Sequence, residues 1–234
     1  MEVQFIDHIK KNKLFDNSHN LLLAYSAGVD SSVLFNLLLS CKYKFSVAHC
    51  NYKLRGQHSD NDQRFIIEKA KIHKVKYYTR EFDISKINFK KSQSVQMKCR
   101  QLRYKWFNEL SKKYAYDFIL TAHHLNDSIE TFFINIFRGT GIEGLTGIPL
   151  KRDKFIRPLL FATKNSILEY AKKYDIDYRE DKSNESKSYK RNKIRSDLIP
   201  IISGISENYE EIFSKSFKNL NNLSDTYKNL VKLE

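Results

Sequence analysis

Cysteine, proline and tryptophan are all scarce in this chain of 234 residues, which contains three, three and one of them. The cysteines Cys41, Cys50 and Cys99 form no CxxC pair, so the sequence indicates no disulfide framework, zinc site or iron–sulfur site. No apolar run approaches the ~20 residues that cross a bilayer, and residues 1–15 carry charge throughout. We therefore expect a protein without a signal peptide or membrane segment, located in the cytoplasm with reduced thiols.

Acidic residues are also few relative to basic ones. There are 27 Asp and Glu against 41 Lys and Arg, which gives a formal net charge of +14. A field of this sign attracts polyanions, and nucleic acid is the obvious candidate. A Lys-rich surface that contacts only solvent is the alternative that composition leaves open. With 41% hydrophobic residues, the chain can bury the core of one full α/β domain and a short appendage.

Strand-like and helix-like segments alternate along most of the chain. The predicted strands are 20–25, 45–50, 76–82 and 117–122, and the predicted helices are 31–40, 60–73, 95–114 and 126–138. This alternation is typical of βαβ units, so we predict an α/β fold with a doubly wound, mostly parallel, Rossmann-like sheet. The spacing over 208–233 predicts a small helical C-terminal appendage.

Small and polar residues occupy the point where the first predicted strand gives way to a helix. They are Ser26, Ala27, Gly28, Val29, Asp30, Ser31 and Ser32. Backbone amides, hydroxyls and a helix N-terminus together suit a phosphate, and this edge of a doubly wound sheet is where ligands usually bind. Asp30 fits such a site if it holds a Mg²⁺ ion. The loop is not a Walker A sequence, and an ordinary helix N-cap is the alternative.

Two further pairs of residues are candidates for the site. His49 and Asn51 end the second strand, where they are candidates for nucleotide binding or for purely structural contacts. Arg100 and Arg103 are three residues apart on a predicted helix, so they share a face that suits a phosphate or a polarised carbonyl. Two solvated arginines are the alternative for that pair.

A third set of candidates follows the fourth strand. His123, Asp127 and Glu130 are four and three residues apart, which on a helix brings acid, base and metal-binding groups to one side. Capping and structural roles compete with this interpretation. Downstream, residues 139–147 contain four of the seven glycines, so we expect a loop with unusual backbone angles.

The loop SAGVDS at 26–31 resembles the SGGxDS loop of the N-type ATP pyrophosphatases. Ala27 stands in place of the first glycine, which the loop tolerates if position 27 needs no positive φ. Further segments resemble, in chain order, the patterns of the tRNA(Ile)-lysidine synthase family. They are HCNYKLRG (49–56), CRQLRY (99–104), HHLNDSIET (123–131), RGTGIEGL (138–145), RPLL (157–160), DKSN (181–184) and RNKIR (191–195). Tyr52, Cys99 and Asn126 depart from the family's usual His, Ala and Asp. Because Asn126 has no carboxylate, the resemblance implies that Asp127 takes the carboxylate role.

The resemblance implies a ligase that uses ATP and Mg²⁺. ATP would adenylate the C2 oxygen of cytidine 34 in the CAU anticodon of tRNA(Ile), and an amine of L-lysine would then displace AMP to form lysidine. It implies nucleotide binding by Ser26–Ser32, His49 and Asn51, a metal on Asp30, and catalytic roles for Arg100, Arg103, His123 and Asp127. A nucleotide-binding or tRNA-binding module without catalysis is the alternative.

The same resemblance implies a catalytic domain at 1–200 and a helical tail at 201–234. The C-terminal tRNA-binding domains of many relatives are expected to be absent. No membrane partner is expected, and a homodimer is left open.

Overall fold

The computed structural model describes residues 1–86, 93–179 and 190–231. The chain divides into two compact units. The first contains the described residues of 1–122, 151–158 and 167–180, and the second those of 123–150, 159–166 and 181–234. The predicted division at residue 200 stays a prediction. The DKSN segment at 181–184 lies outside the described residues.

The first unit is built on a six-stranded sheet. Its strands are β1 (Leu21–Ala24), β2 (Phe45–Asn51), β3 (Lys76–Glu81), β4 (Phe118–Leu120), β5 (Lys151–Arg152) and β6 (Phe155–Ile156), in the order β3-β2-β1-β4-β6-β5. All neighbouring strands pair in parallel except β5 and β6. The predicted fold class, a mostly parallel α/β sheet, is confirmed.

The described residues of both units form helices. In chain order they are α1 (Glu2–Lys11), α2 (Val29–Ser40), α3 (Gln57–Ile72), α4 (Val95–Lys113), α5 (Leu125–Ile136), α6 (Ile142–Leu145), α7 (Lys164–Lys173), α8 (Lys190–Lys193), α9 (Ile199–Ile205) and α10 (Tyr209–Val231). A 3₁₀ turn lies at Ile84–Lys86 and a π-helical segment at Ile194–Leu198. No helix of the described ranges combines the length and the apolar character that a bilayer span requires.

The central strand β1 and the helix α2 after it form the centre of the first unit. Leu21, Leu22 and Leu23 are almost fully buried, as a short apolar strand between two parallel neighbours should be. Helix α2 buries Val33, Leu34 and Leu37 as well as Leu38, so it is apolar on most of its surface. This burial fixes the β1–α2 turn, the place of the predicted phosphate loop.

The second unit is helical where it is described. Leu125, Ile129 and Phe217 form a buried cluster, and Phe132 and Phe133 of α5 pack against it. Phe213 of α10 contacts both of these rings edge-on, with centroid distances of 5.5 and 5.6 Å. The predicted tail helix therefore exists, and its apolar face packs on α5.

Candidate functional site

Hydrogen bonds within the β1–α2 turn hold the predicted phosphate loop in one conformation. Ser31 Oγ donates to the carbonyl of Gly28 (2.9 Å) and lies 3.0 Å from Ser26 Oγ. Gly28 is the N-cap of α2, with φ −69° and ψ 162°. The first amides of α2 and the side chain of Ser26, which is exposed, therefore surround the position where a phosphate would sit.

Ala27 adopts a left-handed conformation with φ at +69°. The condition given for tolerance of Ala27, that position 27 needs no positive φ, is therefore not met, although the turn between β1 and α2 is formed. Two contacts hold this residue in place: the Arg179 amide donates to the Ala27 carbonyl (2.9 Å), and Ser32 Oγ donates to the same oxygen (3.3 Å). Since Ala27 is fully buried, packing and these two bonds offset the backbone strain.

Asp30 lies in the first turn of α2 and is half-buried. Among residues 1–86, 93–179 and 190–231, no cluster of three or more His, Cys, Asp or Glu could hold a metal ion. Mg²⁺ in nucleotide sites is commonly bound by one or two carboxylates together with phosphate oxygens and water. One carboxylate beside a phosphate loop therefore fits a metal that arrives with the nucleotide.

His49 is buried beside the phosphate loop. Its Nδ1 lies 3.0 Å from the carbonyl oxygen of Tyr25, the residue before the loop. Burial, the largest influence, lowers the pKa of His49, so the ring is neutral and Nδ1–H donates to that carbonyl. Nε2 is buried and makes no hydrogen bond to a described residue, so it can serve as an acceptor toward a ligand.

Asn51 uses its side chain within its own loop. Nδ2 donates to Asp60 (2.9 Å) and Gln63 (3.1 Å), and Oδ1 accepts from the Lys53 amide (2.9 Å). These bonds tie the end of β2 to the start of α3. The nucleotide-binding role of Asn51 stays a prediction, whereas its contacts show a residue that shapes the loop.

The two arginines of α4 contact different tyrosines. Arg100 Nη2 donates to the Tyr104 hydroxyl (3.1 Å), with the guanidinium 4.7 Å from the ring centroid. Arg103 Nε donates to the Tyr52 hydroxyl (3.2 Å). Both arginines remain exposed. Among the described residues, the hydrogen bonds of the two guanidiniums therefore go to different tyrosines. Each guanidinium has further N–H donors that a ligand could use.

Arg157 is a site residue that the sequence reasoning did not select. It follows β6, opens the RPLL segment and is 4% exposed. Burial is the largest influence and lowers the pKa of its guanidinium; Tyr104 opposes that shift, and weaker repulsion from Arg100 and Arg152 adds to it. The RPLL match was the available signal, but a single arginine in a short apolar segment gives no indication of burial.

In the second unit, Asp127 caps the N-terminus of α5. Its Oδ2 accepts from the His124 amide (3.0 Å), and its Oδ1 accepts from Arg191 Nη2 (3.1 Å). Burial alone would raise the pKa of Asp127, but His124, Arg191 and His123 together lower it. Asp127 is therefore a carboxylate at neutral pH, with Arg191 bound to Oδ1 and His123 nearby.

Glu130 lies one helical turn beyond Asp127 and is almost completely buried. Arg191 Nε and Arg195 Nε each donate to it at 2.6 Å. Arg191 thus bridges Asp127 and Glu130. Such a bridge is possible because the two carboxylates lie on one side of the helix, as predicted. The sequence pattern RNKIR pointed to these arginines but not to their carboxylate partners.

Asn126, where the family usually has Asp, connects three parts of the second unit. Its Nδ2 donates to Glu210 (2.6 Å) and Tyr209 (3.3 Å), and its Oδ1 accepts from the Lys164 amide (2.8 Å). The side-chain amide of Asn126 supplies N–H donors that an aspartate would lack. Asparagine at this position therefore has a structural role in this chain.

The glycine-rich segment has the backbone angles that its composition predicts. Gly139 and Gly147 have φ of +70° and +77°. A Cβ on Gly147 would lie 3.1 Å from Ser128 Cβ, so both the left-handed angle and close approach to α5 require glycine there.

Comparisons with known proteins agree with this geometry. A family model described as a PP-loop domain matches residues 1–202. The chain is 32% identical to a tRNA(Ile)-lysidine synthase of Bacteroides thetaiotaomicron, over 99% of this chain and 54% of that protein. It is 37% identical to a tRNA(Ile)-lysidine synthase of Porphyromonas gingivalis, over 94% of this chain and 49% of that protein. The chain therefore spans about half the length of these curated relatives.

A solved structure shares the fold. The U34-tRNA thiolase NcsA from Methanococcus maripaludis, determined with its [4Fe-4S] cluster, superposes with a TM-score of 0.76. The match covers 93% of this chain and 78% of that one at 17% sequence identity. At this identity the similarity concerns the fold alone.

Proposed function

We propose that this chain, which belongs to the PP-loop domain family, uses ATP to join L-lysine to C2 of cytidine 34 in the CAU anticodon of tRNA(Ile). The observation that carries the proposal is the loop at 26–32, which follows β1, leads into α2 and leaves helix N-terminal amides and Ser26 available for a phosphate. The relatives named tRNA(Ile)-lysidine synthase supply the substrate.

The phosphate loop would bind the pyrophosphate part of ATP. Backbone amides of Ser26–Ser32 would donate to the β- and γ-phosphates, and the neutral Nε2 of His49 would accept from the nucleotide. Asp30 would be the protein ligand of a Mg²⁺ ion completed by phosphate oxygens and water, which would neutralise charge on the leaving pyrophosphate. Asn51 would contribute by holding the loop after β2.

In the first step, the C2 oxygen of cytidine 34 attacks the α-phosphorus of ATP and pyrophosphate leaves. In the second step, a lysine amine attacks C2, and the oxygen leaves with AMP. Arg100 and Arg103 would hold the phosphate of the adenylate or the oxygen bound to C2, since each guanidinium presents donors in a plane that matches such oxygens.

Lysine arrives as an ammonium and must lose a proton before it attacks. The pKa of Asp127 is lowered, and a carboxylate with a lowered pKa is a weak base. Asp127 therefore suits orientation of a positively charged amine, and we assign proton removal to His123.

The charge and organisation of the chain fit a tRNA substrate. We propose that residues 1–200 carry the chemistry and that residues 201–234, including α10, form an attached helical tail. The net charge of +14 would supply the affinity for tRNA phosphates. We place the protein in the cytoplasm and leave its oligomeric state, including a homodimer, to measurement.

The experiment is incubation with ATP, Mg²⁺, labelled lysine and a tRNA(Ile) transcript that carries the CAU anticodon. Label in the tRNA, lost when cytidine 34 is replaced, is the expected result. AMP release that depends on tRNA without label would retain the adenylation and refute lysine as the nucleophile. If both signals were absent and the chain still bound ATP and tRNA, it would be a binding module without catalysis.

A further inference from the structure

We propose that Tyr52 is a positioning residue that fixes the guanidinium of Arg103 for the reacting nucleotide. This inference rests on the proposed function, because the role of Arg103 belongs to it. Tyr52 stands where the family usually has a second histidine. The evidence for its role is the set of contacts that the phenol makes in the first unit.

Two hydrogen bonds connect the Tyr52 hydroxyl to helix α4. It donates to the backbone carbonyl of Cys99 in α4 (2.9 Å) and accepts from Arg103 Nε (3.2 Å). Cys99 and Arg103 are four residues apart, one turn of the same helix. The hydroxyl therefore joins an arginine side chain to the helix backbone beneath it.

The ring of Tyr52 has two neighbours of its own. It stacks on the buried ring of Phe82, with centroids 5.7 Å apart and planes 24° apart, and the Arg103 guanidinium lies 5.8 Å from its centroid. A phenol with so little rotational freedom fixes the place of its hydroxyl. Stacking also keeps the guanidinium against the aromatic face.

The protonation state of Tyr52 matches these bonds. Burial raises the pKa of the phenol, so it is neutral at physiological pH. A neutral phenol carries one proton, which the Cys99 carbonyl receives, and retains lone pairs for Arg103. The bond uses Nε of Arg103, so it does not occupy the N–H groups of the two terminal nitrogens. Those nitrogens form a two-pronged donor for a phosphate or for the oxygen on C2.

A histidine could satisfy the same two partners. A neutral imidazole has one N–H donor and one ring-nitrogen acceptor, the same complement as the phenol uses here. Tyr52→His should therefore preserve Arg103's position in large part, whereas Tyr52→Phe should keep the ring and its stacking but lose both bonds.

The experiment is a double-mutant cycle on the whole chain, read by single-turnover lysidine formation and by thermal unfolding. The variants are Tyr52→Phe, Arg103→Ala and both together, with Tyr52→His as a rescue variant. Tyr116→Phe is the matched control, since that phenol is buried and likewise loses a hydrogen bond, to Tyr78 (3.1 Å).

We expect Tyr52→Phe to slow the reaction by about 10- to 100-fold, the range of a small misplacement of a reacting group. In the Arg103→Ala background the same change should alter the rate by less than about 2-fold, because the partner is gone. Tyr52→His should recover most of the rate, and Tyr116→Phe should keep it.

Two results would overturn the proposal. One is a Tyr52→Phe enzyme with the wild-type rate. The other is a rate loss of equal size with and without Arg103, which would indicate a structural effect alone. Failure of the wild-type chain to form lysidine would instead refute the proposed function, so the two failures are distinguishable.

Discussion

At the residue scale, Ala27 combines a side chain with a backbone angle that glycine adopts more easily. A left-handed conformation costs a residue with a Cβ about 1–2 kcal/mol. Glycine avoids that cost, but it lowers the free energy of unfolding by ~0.5–1 kcal/mol relative to alanine, because its unfolded chain has more conformational freedom. Ala27→Gly also removes a fully buried methyl group, worth about 0.8 kcal/mol, so the free energy of unfolding should stay within about 1 kcal/mol of the wild-type value. Urea unfolding of the two proteins measures it.

The matched control for that change is Ala70→Gly. Ala70 is also fully buried, but it lies within helix α3 and is not among the residues with positive φ. Glycine there should lower the free energy of unfolding by about 1 kcal/mol or more. If both variants lost stability to the same extent, strain at Ala27 would be refuted.

A substitution at Gly28, in the same loop, should affect ATP binding but not folding. Its φ of −69° suits any residue, and an added Cβ would lie 3.6 Å from Ser26 Oγ, an ordinary contact. Gly28→Ala should therefore leave the free energy of unfolding within about 1 kcal/mol of wild type. The same Cβ would enter the space beside the loop amides, so ATP affinity should fall by about 10-fold or more, about 1.4 kcal/mol. Calorimetric titration with ATP tests this, and unchanged affinity would mean that phosphate does not approach Gly28.

At the element scale, the first turn of α5 depends on the ionised carboxylate of Asp127. Its folded-state pKa lies below the unfolded value of 3.8. The unfolded chain therefore takes up the proton first as pH falls, and the stabilisation from this carboxylate is present above that unfolded value. It is lost as the pH falls through the folded-state pKa. Asp127→Asn should cost most stability at neutral pH, and the difference from wild type should shrink below pH ~4.

Urea unfolding of both proteins between neutral and acid pH provides the measurement. Asparagine retains an oxygen for the helix cap, so the variant isolates the charge from the cap. A stability difference that stays constant across the whole range would show that the ion pair with Arg191 contributes nothing measurable.

The helix α10 depends on the amide of Asn126 in a similar way. Asn126→Asp would restore the family's usual residue but place a carboxylate against Glu210, which now accepts from Nδ2 at 2.6 Å. The lost hydrogen bond and the repulsion should lower the free energy of unfolding by about 1–3 kcal/mol. Glu210→Gln in the same chain should recover most of that loss. A stable single variant would contradict the structural role assigned to Asn126.

Much of this architecture can be predicted from the sequence, for physical reasons that differ among the elements. β1 and α2 are predictable because a run of buried apolar residues followed by small residues has few alternative structures. The sequence indicates a short extended piece over 155–160, which contains β6, but it does not indicate β5 or the pairing of the two strands, because each has two residues and shows no periodicity. The left-handed Ala27 and the bridge from Arg191 to Glu130 depend on contacts between distant segments, which local patterns do not encode.

At the scale of the whole molecule, the net charge of +14 gives a further prediction about tRNA binding. Each phosphate that a lysine or arginine neutralises releases counterions, so the logarithm of the binding constant falls linearly with the logarithm of salt concentration. If about six phosphates are contacted, affinity should fall by roughly 10³-fold between about 50 and 200 mM salt. Filter binding of tRNA(Ile) across this range measures the slope.

Two comparisons make the salt experiment specific. ATP binding, measured in parallel, should weaken far less, because one nucleotide releases few counterions and the phosphate loop binds it largely through neutral amides. A tRNA with the same anticodon but another body should show the same slope, since phosphate contacts carry no sequence information. A tRNA affinity that did not change with salt would mean that the excess lysines and arginines face solvent, the alternative that composition alone leaves open.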